Sequence, residues 1–296
     1  MANDVGDRAD RLGPHPARRH RRVAHQAKRE GENHAQEGRG DVILLETVDL
    51  KKHFGDTRAV DGVDFVVNEG EILSLVGPNG AGKTTLVNLI SAYYPPDSGQ
   101  ILFRDQDITS LSITERVEAG IARSFQLVNL FDDRSVFDNV AQAIFSREGK
   151  AGKFMVLAER DQAVTSETME ILRQFGLEAK GDGLAGGLAQ GERKLLDVAV
   201  AYALRPTLLC LDEPTSGVST REKAQIMDTI SSVVRAGQIT AVIIEHDMDV
   251  VFKYSDRVVV MHEGRILADG TPEEIRNNNE VATILLGAPL DDQATA

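Results

Sequence analysis

One cysteine, Cys210, leaves no partner for an intrachain disulfide and fits a reducing compartment. It lies in the apolar run Leu208-Leu209-Cys210-Leu211, which marks it as a small buried hydrophobe rather than a reactive thiol. No apolar run approaches the ~20 residues that span a bilayer. No apolar stretch near the N-terminus has the form of a secretory signal. Any role at a membrane is therefore expected to come through a partner. Long heptad runs and internal repeats are also missing. Positive charge is scarce in the body of the chain: residues 41–296 carry 24 Lys and Arg against 40 Asp and Glu, a balance of −16. A body that acidic is a poor nucleic-acid surface. Hydrophobic residues make up 42% of the 296 positions, enough for one large domain or two small ones.

The first 40 residues are different. They hold 9 Lys and Arg, 6 Asp and Glu, and four of the seven histidines. Few large apolar residues occur there and no periodicity is sustained, so residues 1–40 are expected to be a disordered basic tail. A basic arm for anionic lipid or nucleic acid is a second reading, and a start at Val42, where the folded pattern begins, is a third. Residues 291–296 read as a short tail.

From Asp41 onward, strand and helix signals alternate. Val42–Leu50 and Val63–Val67 are β-type runs, with turns at Asp61-Gly62 and Asn68-Glu69-Gly70. Glu71–Val76 is a short buried strand, and Gln100–Phe103 another. Residues from about 135 to 187 read as mostly helical. Val164, Thr168, Ile171, Leu172 and Phe175 share one helical face. A buried helix is expected from Gly191 to Leu204, ended by Arg205-Pro206. Strand, helix and strand signals then repeat through Met261, and Arg265–Ala268 returns across the Glu263-Gly264 turn. Such patterning with continuous apolar strands predicts an α/β fold whose parallel sheet is covered on both faces, with a helical lobe inserted at about 127–190.

The most specific segment is Gly77-Pro78-Asn79-Gly80-Ala81-Gly82-Lys83-Thr84, followed by Thr85. It fits the phosphate-binding P-loop, GxxxxGKT, between a strand and a helix. Its glycines let backbone wrap a phosphate, and the helix start turns free N–H groups toward the anion. Lys83 can reach the β- and γ-phosphates, and the Thr84 hydroxyl can ligate Mg²⁺. Downstream, the apolar strand Leu208–Leu211 ends in Asp212-Glu213. In P-loop proteins an Asp at this place helps hold Mg²⁺, and the next Glu can polarise a water.

Four further features follow in order: Gln126 after the short strand Ile121–Phe125, Leu188-Ala189-Gln190-Gly191-Glu192 at a helix start, Ser216-Gly217-Val218-Ser219, and His246 at the end of another apolar strand. Over residues 42 to 287 this order and spacing resemble the ATP-binding cassette (ABC) ATPases. The resemblance implies a P-loop NTPase core of mixed and parallel sheet, an antiparallel β subdomain and an inserted helical subdomain. It implies ATP and Mg²⁺ as cofactors. Glu213, His246, Gln126 and Lys83 would be the catalytic groups, and Thr84, Gln126 and Asp212 would organise the metal. Phe54 falls where the family stacks an aromatic on adenine, and residues 188–192 fall on the signature that contacts the opposite subunit's ATP.

Two departures stand out. The common signature is LSGGQ; here Ala189 replaces the Ser and Gln190 the first Gly. Ser219 replaces the usual Asp of the loop after the acids. Both positions face the partner subunit in the family, so the expected partner is a second, related ABC ATPase, as a heterodimer. The run Gly120–Phe131, the LAxG-type signature and Asp269–Ile275 look like importers of branched-chain amino acids and related amides. That resemblance implies integral membrane permeases as partners, an extracytoplasmic solute-binding protein indirectly, and a peripheral place on the cytoplasmic face of the plasma (inner) membrane.

Overall fold

The computed structural model describes residues 42–124, 130–149 and 161–286. The readings made for the N-terminal 40 residues, for Gln126 and for the C-terminal tail lie outside them. Two sheets organise the described chain. The first contains β1 (Ile43–Phe54), β2 (Thr57–Asn68), β4 (Ser98–Phe103) and β5 (Gln106–Asp107), antiparallel in the order β2-β1-β4-β5. The second contains β3 (Ile72–Val76), β6 (Ile121–Arg123), β7 (Leu208–Asp212), β8 (Thr240–Ile244), β9 (Arg257–His262) and β10 (Arg265–Gly270), in the order β10-β9-β3-β8-β7-β6. Its five consecutive strands β9-β3-β8-β7-β6 run parallel, and β10 adds an antiparallel edge. Every residue of β3, β7 and β8 is buried, as continuous apolar strands covered on both faces require.

The first hairpin corrects the expected boundaries. β1 continues to Phe54 and β2 begins at Thr57, so the turn is tight and Asp61-Gly62 lies inside a strand. The apolar pattern marks only the half of each strand that faces the core, Leu44–Leu50 and Val63–Val67. The polar halves pair with each other beyond it. The register shifts at Leu50/Lys51, opposite Gly62, whose φ of +75° accommodates the irregularity.

Helices cover the second sheet. α1 (Lys83–Ile90) leaves β3 through the P-loop, and α2 (Ile113–Glu118) precedes β6. Between β6 and β7 come α3 (Val136–Arg147), α4 (Gln162–Gln174) and α5 (Gln190–Ala203). Val140, Ile144, Val164, Leu172, Phe175 and Leu196 of these helices share one buried apolar cluster with Leu209 and Leu211 of β7. The predicted face of α4 is the buried one: Val164, Thr168, Ile171, Leu172 and Phe175 are all inside. α6 (Thr220–Ala236) buries Ile226, Ile230, Val233 and Val234 against the same cluster. α7 (Met248–Tyr254) links β8 to β9, and α8 (Pro272–Arg276) and α9 (Asn279–Leu286) close the described chain. A second cluster joins the antiparallel sheet to α1 and to the other face of β3, through Phe65, Leu73, Leu75, Leu86 and Val87.

This topology sets the site. Leu75 pairs with Ile244, and Ile244 pairs with Asp212. The P-loop, Asp212-Glu213 and His246 therefore leave the carboxyl ends of β3, β7 and β8 at the same edge, where parallel α/β sheets bind ligands.

Candidate nucleotide-binding site

Two glycines of the P-loop are fixed by close backbone approach. Gly77 has φ +148°, and a Cβ there would lie 2.1 Å from the carbonyl oxygen of Met261. Gly82 has φ +100°, and its Cβ would lie 2.1 Å from the carbonyl oxygen of Ala59. The loop is thus pressed between β9 and β2, and no side chain fits at either point. Of its other residues, Asn79, Gly80 and Thr84 are exposed, Pro78 and Thr85 are half-buried, and Ala81 is buried. Lys83 is buried, and its Nζ donates to the carbonyl oxygens of Gly77 at 2.7 Å and Pro78 at 3.1 Å. Burial holds the Lys83 ammonium below the usual lysine range, opposed by the nearby charges of Glu213 and Asp212. The ammonium and both acids therefore lie within one electrostatic neighbourhood.

Asp212 ends β7 and is almost fully buried. One carboxylate oxygen, Oδ2, accepts from Nη2 of Arg123 at 2.8 Å. The other, Oδ1, is buried without a hydrogen-bond partner. Burial raises the Asp212 pKa, and the Arg123 guanidinium opposes the shift. An orphaned buried carboxylate oxygen needs a partner. Mg²⁺ in phosphate sites takes only one or two protein oxygens and relies on phosphates and waters for the rest. Asp212 and the exposed Thr84 hydroxyl fit that demand. Among the described residues, no group of three or more His, Cys, Asp or Glu could hold a metal by itself.

Glu213 adopts a left-handed backbone, φ +51°, which side chains other than glycine seldom take. Its N–H donates to Ile244 O at 3.0 Å, and its carbonyl accepts from Ser216 N at 3.1 Å and from Lys194 Nζ at 3.2 Å. Its Oε1 lies 3.0 Å from Nε2 of His246. The resemblance gave these two residues separate catalytic roles; the structure brings them into hydrogen-bond contact.

Glu245, beside His246, escaped sequence reasoning. It is buried, and Oε1 accepts from the N–H and hydroxyl of Thr215 at 3.1 and 2.7 Å, while Oε2 accepts from His246 N at 3.2 Å. It ties the loop after Glu213 to the histidine. Lys194 also escaped it. Buried on α5, it reaches both the Glu213 carbonyl and Ser216 Oγ, the latter at 3.1 Å. Burial lowers its pKa, with Asp197, Glu213, Glu245 and Asp212 opposing. The signals were an acid ending an apolar strand and one lysine heading an apolar helical run.

The segment Leu188–Glu192 forms the entry to α5. Leu188 packs on the helical cluster, Gly191 is buried, and Ala189 and Gln190 are exposed. Gln190 lies against Gly217, where an added Cβ would stand 2.3 Å from its Nε2. The segment thus contacts the loop that follows Glu213. Ala189 holds the N-cap position of α5 and supplies no side-chain acceptor; Glu192 accepts from its N–H at 3.1 Å. Ser219 has a local duty. It caps α6 in a reciprocal box with Glu222, accepting from Glu222 N and contacting Oε2 at 2.6 Å. Phe54 is half-exposed at the end of β1, edge-on to Tyr94 with centroids 5.3 Å apart and with Lys52 5.7 Å from its ring. The Cys210 thiol is buried and pushed up to about 12, as an inert core residue should be.

A parallel sheet with a P-loop after one strand, an acid pair after another and a histidine after a third defines a P-loop nucleotide-binding cassette. The family comparison agrees: the ABC transporter family matches residues 60–216, and the chain belongs to it. It is 36% identical over 250 residues to the high-affinity branched-chain amino acid transport ATP-binding protein LivG of Escherichia coli, covering 82% of this chain and 98% of that protein. Identity is also 36%, over 251 residues, to BraF of Pseudomonas aeruginosa, of the same description, with 82% and 98% covered. Among solved structures, an ATP-binding cassette of an ABC transporter in its ADP conformation superposes with a TM-score of 0.75 at 29% identity, covering 83% of this chain and 99% of that one. A nucleotide-free ATP-binding cassette from an ABC transporter gives 0.73 at 30% identity, over 82% and 98%.

Proposed function

We propose that this chain is the ATP-hydrolysing, nucleotide-binding subunit of a transporter for branched-chain amino acids or related amides, acting through separate integral membrane permeases. The observation that carries the hydrolytic reading is the Glu213–His246 contact at 3.0 Å, beside a P-loop whose lysine feels both Asp212 and Glu213. The transport reading draws on the relatives, which match over nearly their whole length.

The division of labour follows from the chemistry of each group. Phe54 stacks on the base. The amides of residues 77–85 and the Lys83 ammonium hold the phosphates. Thr84 and Asp212 would hold Mg²⁺, with Gln126 as a further ligand; the ion supplies charge neutralisation on the phosphate oxygens. Glu213 orients a water and takes its proton, and His246 steadies the γ-phosphate as charge shifts. Leu188, Ala189, Gln190, Gly191 and Glu192 serve the nucleotide of a partner ATPase, a second, related subunit. Residues 41–290 act as one ATPase domain, and the helices from about 127 to 190 pass closure of the pair to the permeases.

No helix among the described residues is long and apolar enough to cross a membrane. Peripheral attachment at the cytoplasmic face, through permeases, is the reading consistent with that. Affinity purification of the chain from detergent-solubilised membranes tests the proposal. Two integral membrane proteins, a second ATPase and ATP hydrolysis stimulated by an amino-acid-loaded binding protein are expected. Recovery with ribosomes or DNA instead would overturn the transport role.

A further inference from the structure

The buried guanidinium of Arg123 is unexplained by nucleotide binding as such. Arg123 sits on β6 with its side chain almost wholly buried, in a strand otherwise apolar. Nη2 donates to Asp212 Oδ2 at 2.8 Å. Nη1 donates to Asn88 Oδ1 and, at 3.3 Å, to Ser91 Oγ. Asn88 lies on α1 and Ser91 caps its C-terminal end. The next residue, Ser124, donates its N–H to the carbonyl of Cys210, two positions before Asp212. One side chain therefore ties the acid at the end of β7 to the helix that carries the P-loop.

The cost of that arrangement is informative. Burying a charge pair needs good geometry and further hydrogen bonds merely to break even with an apolar pair. The same strand could have been finished with an aliphatic residue. What the guanidinium provides is direction. A planar fork can hold Asp212 and Asn88 together, each on its own nitrogen, and so fix the rotation of the Asp212 carboxylate. With Oδ2 engaged, Oδ1 is the oxygen left without a partner. In a neutral strand the carboxylate would be free to turn, or to take its hydrogen bonds from elsewhere.

We propose that Arg123 is a positioning residue for the divalent cation: it holds Asp212 Oδ2 so that Oδ1 is presented to the metal, and it sets that carboxylate relative to the P-loop helix through Asn88. The proposal rests on the nucleotide–Mg²⁺ reading of the site given above. It predicts a metal-affinity defect that is separable from nucleotide affinity. Partners one layer behind a metal ligand typically govern about 10–100-fold in metal affinity.

The test uses the full chain with ADP and Mn²⁺, following free Mn²⁺ by electron paramagnetic resonance, together with binding of a fluorescent ATP analogue in EDTA. Arg123→Met is expected to weaken Mn²⁺ binding to the protein–ADP complex by about tenfold or more, while analogue affinity without metal stays within about twofold of wild type. Arg123→Lys keeps the charge and loses the fork, so an intermediate loss of about threefold or more is expected. In the assembled transporter the same defect appears as a raised Mg²⁺ requirement, relieved at high Mg²⁺. An unchanged Mn²⁺ midpoint in both variants overturns the proposal. If Arg123→Met does not fold, Arg123→Lys decides by the same midpoint. Failure of the underlying reading looks different: wild-type protein would then bind Mn²⁺ no better with ADP than without it.

Discussion

Ala189→Ser separates two duties that one missing hydroxyl would perform. Ala189 has φ −63° and ψ 157°, against −67° and 157° for Ser219 and −65° and 157° for Thr271, both of which cap helices in complete reciprocal boxes. Its backbone is already that of a capping residue. Half of the box is present, since Glu192 accepts from the Ala189 N–H. A serine hydroxyl would accept from the Glu192 N–H, one of the donors that α5 leaves without an intrahelical partner. Exchange of Ala for Ser at such a position is worth about 0.5–2 kcal/mol, typically ~1. In a domain of this size that raises the melting temperature by about 2–4 °C per kcal/mol. The gain needs no nucleotide, so thermal unfolding without ATP measures it. The hydroxyl keeps its proton for a second use. In a nucleotide sandwich it can donate to the partner's γ-phosphate, and ATP-driven pairing should tighten by up to about tenfold, the equivalent of 1.4 kcal/mol. Sedimentation with ATP measures that part. An unchanged or lowered melting temperature would refute the capping calculation. Higher stability with unchanged pairing would show that the phosphate is already satisfied without the hydroxyl, by the other backbone amides of the helix start such as that of Gly191.

Glu213→Gln keeps the shape of the side chain and its reach to His246 but removes charge and basicity; hydrolysis in the assembled transporter should fall by about 10²-fold or more, with ATP binding retained and ATP-bound pairs accumulating. Wild-type turnover would remove Glu213 from the mechanism. Hydrogen bonds from Arg147, with Arg205 adding to them, hold the Glu167 carboxyl below its ordinary value of 4.5. A depressed acid contributes stability that is fully present above the unfolded value and lost as pH falls through the folded one. Urea denaturation of Glu167→Gln should therefore show a smaller difference from wild type below pH 4.5 than at pH 7. Parallel curves across that range would exclude this carboxylate as a source of acid sensitivity.

The chemistry of the site was legible where it is local. The P-loop spacing, the acids ending Leu208–Leu211 and the histidine ending Ile243-Ile244 each sit at a strand end, and continuous apolar runs identify the strands. The extension of the first hairpin was hidden because Lys51–Phe54 and Thr57–Asp61 carry polar residues, and only cross-strand pairing shows that they belong to strands. Arg123, Lys194 and Glu245 were missed for a related reason. Each is a charge that reaches a partner 19 to 89 positions away, Glu245 in addition to the adjacent His246 N–H, and no short-range pattern marks the distant one. Ser219 was readable. Ser219 and Glu222 stand three apart at the start of an amphipathic helix, a capping signature, although the resemblance marks the serine only as the replacement for the usual aspartate. Gln126 lies outside the described residues, and its assignment stays with the resemblance.

The connection from β6 to β7 has a consequence for how such chains diversify. It leaves the sheet after Arg123 and returns at Leu208 on the neighbouring strand, and the Gly120 carbonyl receives both the Thr207 and the Leu208 N–H groups. Departure and return are clamped by the same pair of strands, while Lys83, Asp212, Glu213 and His246 follow β3, β7 and β8. Loop-closure entropy grows only slowly with length. The connections between the intervening helices can therefore change in length, provided that α5 stays in place, because Lys194 and Gln190 of that helix contact the Glu213 carbonyl and Gly217. On the proposed transport reading, specialisation toward a new membrane partner would proceed in those connections, with α5 and the strand ends kept.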